Sequence, residues 1–153
     1  MRNLAKKMFP QEDLTAIANA IGEAEKTTSG EIRVDIKQRR GWRERKASIE
    51  TMARHEFHRL GMTATQQRTG ILIFLLLKEK QFYILADDGI HTKVADGTWD
   101  AIAKEMSEHF LQQNFKNGII HGVERVGQVL SQYFPAAPGD TANELSNEVS
   151  IRS

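Results

Sequence analysis

Apolar positions along the chain change period repeatedly, and each change marks an element. Leu14, Ile17, Ala18 and Ile21 recur at helical spacing behind Pro10, whose missing N–H costs little in a first helical turn. Thr27–Gly30 stops that helix. The next segment, EIRVDIK, alternates strictly. Ile32, Val34 and Ile36 face one side and Glu31, Arg33, Asp35 and Lys37 the other, which predicts a strand with one wet or polar face near a sheet edge. After a polar loop, Ile49, Met52, Ala53, Phe57 and Leu60 trace one face of a second helix, and Gly61 suits its C′ position. ILIFLLL, residues 71–77, is apolar on both faces and predicts a central buried strand. Lys78-Glu79-Lys80 makes a short turn into QFYILA, a third strand. Trp99, Ile102, Ala103, Met106 and Phe110 mark a third helix, with Thr98 or Asp96 as its N-cap. NFKNG breaks it, and Ile119, Val123, Val126, Leu130 and Phe134 mark a fourth. Gly118 and Gly122 fall in that last helix. Glycine there costs about 1 kcal/mol against alanine, so close packing against a neighbour is the compensation to expect.

The order is α-β-α-β-β-α-α. A strand–helix–strand crossover makes the first two strands parallel and right-handed. The tight turn at 78–80 makes the third antiparallel to the second. The expected fold is an α/β sandwich: a mixed sheet with a parallel crossover and an antiparallel hairpin, helices covering its faces. Residues 1–135 form the single domain. Residues 136–153 are polar and lack a periodic face, which predicts an irregular or disordered tail whose Leu145, Val149 and Ile151 could dock on the domain.

This connectivity gives the segment ADDGIHTKVADGTWD, residues 86–100, a place. The third strand runs against the other two. Asp87 and Asp88 therefore lie at the starts of the first two strands, beside Ser29, Glu31, Arg68 and Thr69. That is not the crest on which parallel sheets bind ligands. Ca²⁺ and Mg²⁺ take several oxygen ligands. Asp87 and Asp88, with Asp96 from the following loop and Glu31 nearby, would supply carboxylates, and Gly89 would let the backbone turn tightly. The spacing does not match an EF-hand. Equally, Asp-Gly makes turns and Asp96 or Thr98 caps a helix. Both readings stand at this point. Asp100, one turn into the third helix, reads as a helix-dipole residue.

Composition narrows the rest. The chain of 153 residues suits one core. A net charge of +1 supplies no global field toward nucleic acid or an acidic substrate. No cysteine is present, which removes disulfides, thiolate nucleophiles and cysteine zinc sites and accords with a reducing cytoplasm. The N-terminus lacks the apolar region of a signal peptide, and the longest apolar run, residues 71–77, is far short of the roughly 18–20 residues that span a bilayer. A soluble cytoplasmic protein is expected. His55 and His58 are spaced i, i+3 rather than at zincin spacing and flank the core residue Phe57, so they read as a solvated helix side. Residues 37–46 hold six basic residues, one acid and Trp42. Arg39, Arg40, Trp42 and Arg43 are the candidate contact residues of this loop, for phosphates, an anionic lipid surface or a protein partner. The plainer reading is a solvated loop, and one short basic stretch is too small a footprint for nucleic acid. No GxSxG elbow, Walker loop or GxGxxG occurs.

Several stretches, taken in order, resemble the TPM domain family, long regarded as a domain of unknown function. They are SGEIRVDI (29–36), RTGILIFLLL (68–77), FYILADDGI (82–90), Lys93, Val94 and Trp99, GIIHGVERVG (118–127) and YFP (133–135). The resemblance runs over about residues 10–135, and the tail is similar to that of the small soluble bacterial branch. It implies a Rossmann-like α/β domain. It also implies possible divalent-cation binding, and phosphatase-type hydrolysis of the kind linked to thylakoid-lumen relatives, in which a metal polarises a phosphoryl oxygen and activates water. In the membrane-anchored branch the segment matching 86–100 reads T-G-x-G-L-E with a later aspartate. Gly89 and Asp96 match that pattern; Ala86, Asp87 and His91 depart from it. No catalytic residue carries over. The competing expectation is a non-enzymatic interaction or scaffold module that uses the Trp42 loop or the tail.

Overall fold

The computed structural model describes residues 4–65, 67–95, 97–136 and 147–152. Helices α1 (Leu4–Met8) and α2 (Gln11–Glu25) precede strand β1 (Glu31–Lys37). Helix α3 (Ile49–Arg59) crosses to β2 (Gly70–Leu76), which turns back into β3 (Gln81–Ala86). Helices α4 (Asp88–His91), α5 (Gly97–Leu111) and α6 (Phe115–Tyr133) follow, and strand β4 (Ser150–Arg152) comes last. The strands form one sheet in the order β3-β2-β1-β4. β1 runs parallel to β2, Glu31 opposite Gly70 and Lys37 opposite Leu76. β3 runs antiparallel to β2, Ile71 opposite Ala86. This is the expected mixed sheet with crossover and hairpin.

Period-two patterning decides the layers. Ile32, Val34 and Ile36 share a face with Ile71, Ile73 and Leu75 and pack with Ile17, Ile102, Met106, Ile119, Val123 and Val126 of the helices. Leu72, Phe74, Leu76 and Leu85 share the other face and meet Met52, Ala53 and Phe57 of α3. β2 is buried on both faces along its whole length, as its unbroken apolar run requires. Each such side chain contributes about 1.5–3 kcal/mol on leaving water, so β2 is the spine of the fold. In α6, a Cβ on Gly122 would stand 2.5 Å from Met106 Sδ. The glycine is the condition for α5 and α6 to approach, and that packing offsets its helical cost.

Four expectations need correction. β1 does not lie at an edge, because β4 pairs alongside it, Asp35 opposite Ser150 and Lys37 opposite Arg152. The tail is accordingly not irregular to its end. The polar face of β1 is not wet either: Asp35 is fully buried, under α3. NFKNG does not break the third helix as a whole. The break is at Gln113, in the left-handed region at φ 58°, and Phe115 already opens α6. Among the described residues no helix is long and apolar enough to cross a membrane.

Candidate functional site

β2 and β3 are antiparallel, so the end of β3 meets the start of β2. The Asp87 N–H donates to the Gly70 carbonyl at 2.9 Å, and the Gly89 N–H to the Arg68 carbonyl at 2.9 Å. Asp87 and Arg68 are thereby brought side by side. Arg68 Nε donates to Asp87 Oδ2 at 2.7 Å and Arg68 Nη2 to Asp87 Oδ1 at 2.8 Å, a bidentate pair. Asp87 Oδ1 also accepts from the Asp88 N–H at 2.8 Å and caps α4. The carboxylate is 4% exposed, the guanidinium 45%. The Asp87 hydrogen bond and charge push the Arg68 guanidinium still further up, with Asp88 adding to it. Gly89 is held by the same contact: a Cβ there would stand 2.6 Å from the Arg68 carbonyl oxygen. The glycine is needed here for close approach to residues 67–68 rather than for the tight turn expected of it, since Gly89 lies within α4 and not at positive φ.

The other expected members lie apart. The Asp88 carboxylate is 85% exposed and sits 3.7 Å from Arg68 Nη2. Thr69 is buried; its N–H donates to Thr65 Oγ1 and its carbonyl accepts from Glu31. Ser29 N–H donates to the Phe134 carbonyl. Glu31 is buried beside Gly70 with β2 between it and Asp87. Two strand spacings separate their backbones, roughly 9–10 Å. Glu31 instead neighbours Glu25, whose Oε2 accepts the Ile32 N–H at 2.7 Å where β4 does not reach. Burial pushes the Glu25 carboxyl up to about 8 against the pull of that N–H, and the Glu31 charge adds to the rise. Asp96 lies outside the described residues. Among the described residues no three His, Cys, Asp or Glu side chains stand close enough to hold a metal ion. Those of this cluster do not fit a tightly held cation: Arg68 already takes both oxygens of Asp87.

The basic loop is at the opposite end, where the topology puts it. The Leu77 and Lys78 N–H groups donate to the Lys37 and Gln38 carbonyls. The loop is not simply solvated. Arg40 Nε donates to Glu79 at 2.6 Å, while its Nη1 donates to the carbonyls of Glu44, at 2.9 Å, and Ala47. Glu44 accepts from the Gly41 N–H at 2.9 Å and pairs with Lys37 at 2.9 Å. A 3₁₀ turn, Trp42–Glu44, is capped in this way. On it Trp42 is 77% exposed, with the Arg45 guanidinium 4.1 Å from its ring centre. Arg39 and Arg43 are exposed beside it. Arg40 is a brace rather than a contact residue.

Beneath this end lies a charged cluster that pattern reading missed. Arg152 Nη2 meets Asp35 Oδ2 at 2.5 Å and Glu56 Oε1 at 3.2 Å. Arg59 Nη2 stands 3.8 Å from Asp35, and Arg59 Nε also pairs with Glu56. Asp35 is fully buried and Glu56 is 2% exposed. Glu56 had a signal: it follows Met52 by one helical turn, inside the buried stripe. His55 and His58 are exposed, as their flanking position implies.

The model of the TPM domain, named TPM_phosphatase, matches residues 3–129. The BA42 protein of the psychrophilic bacterium Bizionia argentinensis has a similar solution structure, at TM-score 0.85 and 36% identity over 94% of each chain. The N-terminal domain of a P. gingivalis protein shares the fold at TM-score 0.67 and 20% identity, over 83% of this chain and 79% of that one. The N-terminal domain of the cg2496 protein of Corynebacterium glutamicum does so at TM-score 0.61 and 16% identity, over 89% and 78%. No curated protein matches. With the family model spanning most of the chain, and the order of strands and helices that its motifs imply present in the structure, the chain belongs to the TPM domain family.

Proposed function

We propose that this TPM domain is a binding module that engages an acidic protein partner through the Trp42 loop. The observation that carries the reading is the exposure of Trp42 on a turn held by Arg40, Glu44 and Lys37. A large aromatic side chain in water contributes nothing to the fold. On a pre-organised tip it loses little entropy when covered, and tryptophan with arginine is the composition of interface hot spots. Arg39 and Arg43 supply the charge complementary to an acidic surface. The cytoplasmic setting read from the sequence belongs to the same proposal and is checked by cell fractionation. The test of the contact is a photo-crosslinking residue at position 42, and separately at 88, in the cells that make the protein. A discrete adduct at 42, suppressed by Arg39→Glu with Arg43→Glu, supports the module. An adduct at 88 and none at 42 contradicts it.

A second proposal keeps Ca²⁺ or Mg²⁺, with phosphatase-type hydrolysis attached to it, at the Asp87–Asp88 corner. What favours it is the exposed Asp88 carboxylate. Because Arg68 competes for Asp87, a cation here is weak and exchangeable, held mainly through water. Metal-dependent turnover of a phosphomonoester, lost in Asp88→Ala, supports it; no turnover at millimolar metal removes it.

A further inference from the structure

Among the described residues β3 is an edge strand, and its sequence lacks the usual protection. Its sequence, QFYILA, has no charge and no proline, and its register with β2 runs without a bulge from Gln81 to Ala86. Such an edge is a template for pairing with another chain. The Asp87 N–H bonds to Gly70, and the alternation of an antiparallel ladder then turns the N–H and C=O groups of Ile84 and Ala86 away from β2, toward the open side. A groove of about 330 Å³ runs along that side, floored by Tyr83–Ala86. One wall is α3 with Glu50 and Arg54; the other is α5 with Trp99 and Asp100. Helices thus flank the edge: Gln81–Tyr83 reach the surface, while Ile84 and Ala86 lie buried at the base of the groove.

The two walls differ. Glu50 and Arg54 pair at 2.9 Å and neutralise each other. Asp100 is exposed and has no cation partner among the described residues. Trp99 is 6% exposed, yet its indole N–H is buried with no acceptor among the described residues. A buried donor left unmatched is costly, and an incoming carbonyl is what it lacks. We propose that this groove docks an extended peptide segment carrying a basic side chain, added to the sheet as a strand beside β3. Its backbone pairs with Ile84 and Ala86. Side chains of such a strand alternate between the walls, so a lysine or arginine directed to the α5 wall meets Asp100, and a small or apolar residue faces α3. The site is separate from the Trp42 loop, which stands at the other end of the sheet.

The test is a ¹⁵N NMR titration of the full chain with a short blocked peptide of alternating threonine and valine around a central lysine. The expected result is saturable shifts at the Ile84 and Ala86 amides and at the Trp99 indole. Asp100→Asn weakens them about two- to fivefold, the effect of one exposed charge, while Trp42→Ala leaves them unchanged. The same peptide N-methylated on alternate residues, which cannot pair as a strand, produces none. Three results overturn the proposal: no saturable shift at millimolar peptide, equal shifts from the N-methylated peptide, or edge amides already occupied by a second copy of the chain in peptide-free solution. The N-methylated control alters the ligand and not the protein, so misfolding of a variant cannot imitate it.

Discussion

The two ends of the sheet hold opposite charges and handle them in opposite ways. At the start of β1 and β2, Asp87 is closed off: Arg68 takes both its oxygens and the Asp88 N–H takes one of them again. Asp87, one of four carboxylates offered as ligands, joins the end of β3 to the start of β2. At the far end the charges divide into two layers. Asp35, Glu56, Arg59 and Arg152 are packed beneath α3, while Trp42, Arg39 and Arg43 are left in water on a braced turn. Asp87 therefore serves local structure, while the basic loop, which reads as solvent-facing, leaves a tryptophan and two arginines in water. Density of charge along the chain does not separate the two; the partners of each charge do.

The comparison can be broken at graded cost. The largest effect is expected at the buried cluster. Removing one member of a buried pair costs up to about 3–5 kcal/mol, and Arg59, 3.8 Å from Asp35, would compensate only part of it here. Arg152→Ala should accordingly lower the urea midpoint steeply and release β4 from β1, a change read from amide exchange at Asp35–Lys37. Restoration of most of the loss by Asp35→Asn in the same chain would confirm that the charge, and not the strand, is at issue. Next comes Asp87→Ala. It removes a helix cap, about 1 kcal/mol, together with the acceptor of Arg68, so its loss should exceed that of Asp88→Ala, whose carboxylate is exposed. Equal losses would show that the Arg68 clasp does not hold the corner together.

A pH experiment sharpens the same end of the sheet. The Glu25 carboxyl is raised by burial to about 8 from an ordinary 4.5. A group that binds its proton more tightly when folded contributes stability that is fully present below its unfolded value and is lost as pH rises through its folded value. Stability should fall between about pH 4.5 and 8, and Glu25→Gln should flatten that fall. An unchanged slope in the variant would assign it elsewhere. The smallest effect belongs to Trp42→Ala: within about 0.5 kcal/mol in urea; a larger loss would show that Trp42 packs on the fold rather than standing in water.

Much of the frame was legible in the sequence for stated reasons. Period-two alternation in EIRVDIK and an unbroken apolar run in ILIFLLL set the layers, and a turn too short for a crossover set the direction of β3. From these the proximity of Asp87 to Arg68 followed. Its consequence did not: whether an arginine beside an aspartate is a neighbour or a clasp depends on side-chain geometry, which spacing does not carry. β4 was illegible because three residues show no period, and because Arg152 reaches Asp35 across 117 positions of sequence. The polar face of β1 read as wet because a buried ion pair and a solvated row of charges share one pattern until the partner is known.

Arg68 takes both oxygens of Asp87 and so competes with any cation at this corner. The most direct measurement is a Ca²⁺ titration followed by ¹⁵N NMR on the unaltered protein and on Arg68→Ala, side by side. Weak, non-saturating shifts at residues 86–91 are expected in the unaltered protein at millimolar Ca²⁺, and tighter, saturable shifts once Arg68 is gone. Micromolar saturation at Asp87 and Asp88 with Arg68 in place would contradict it.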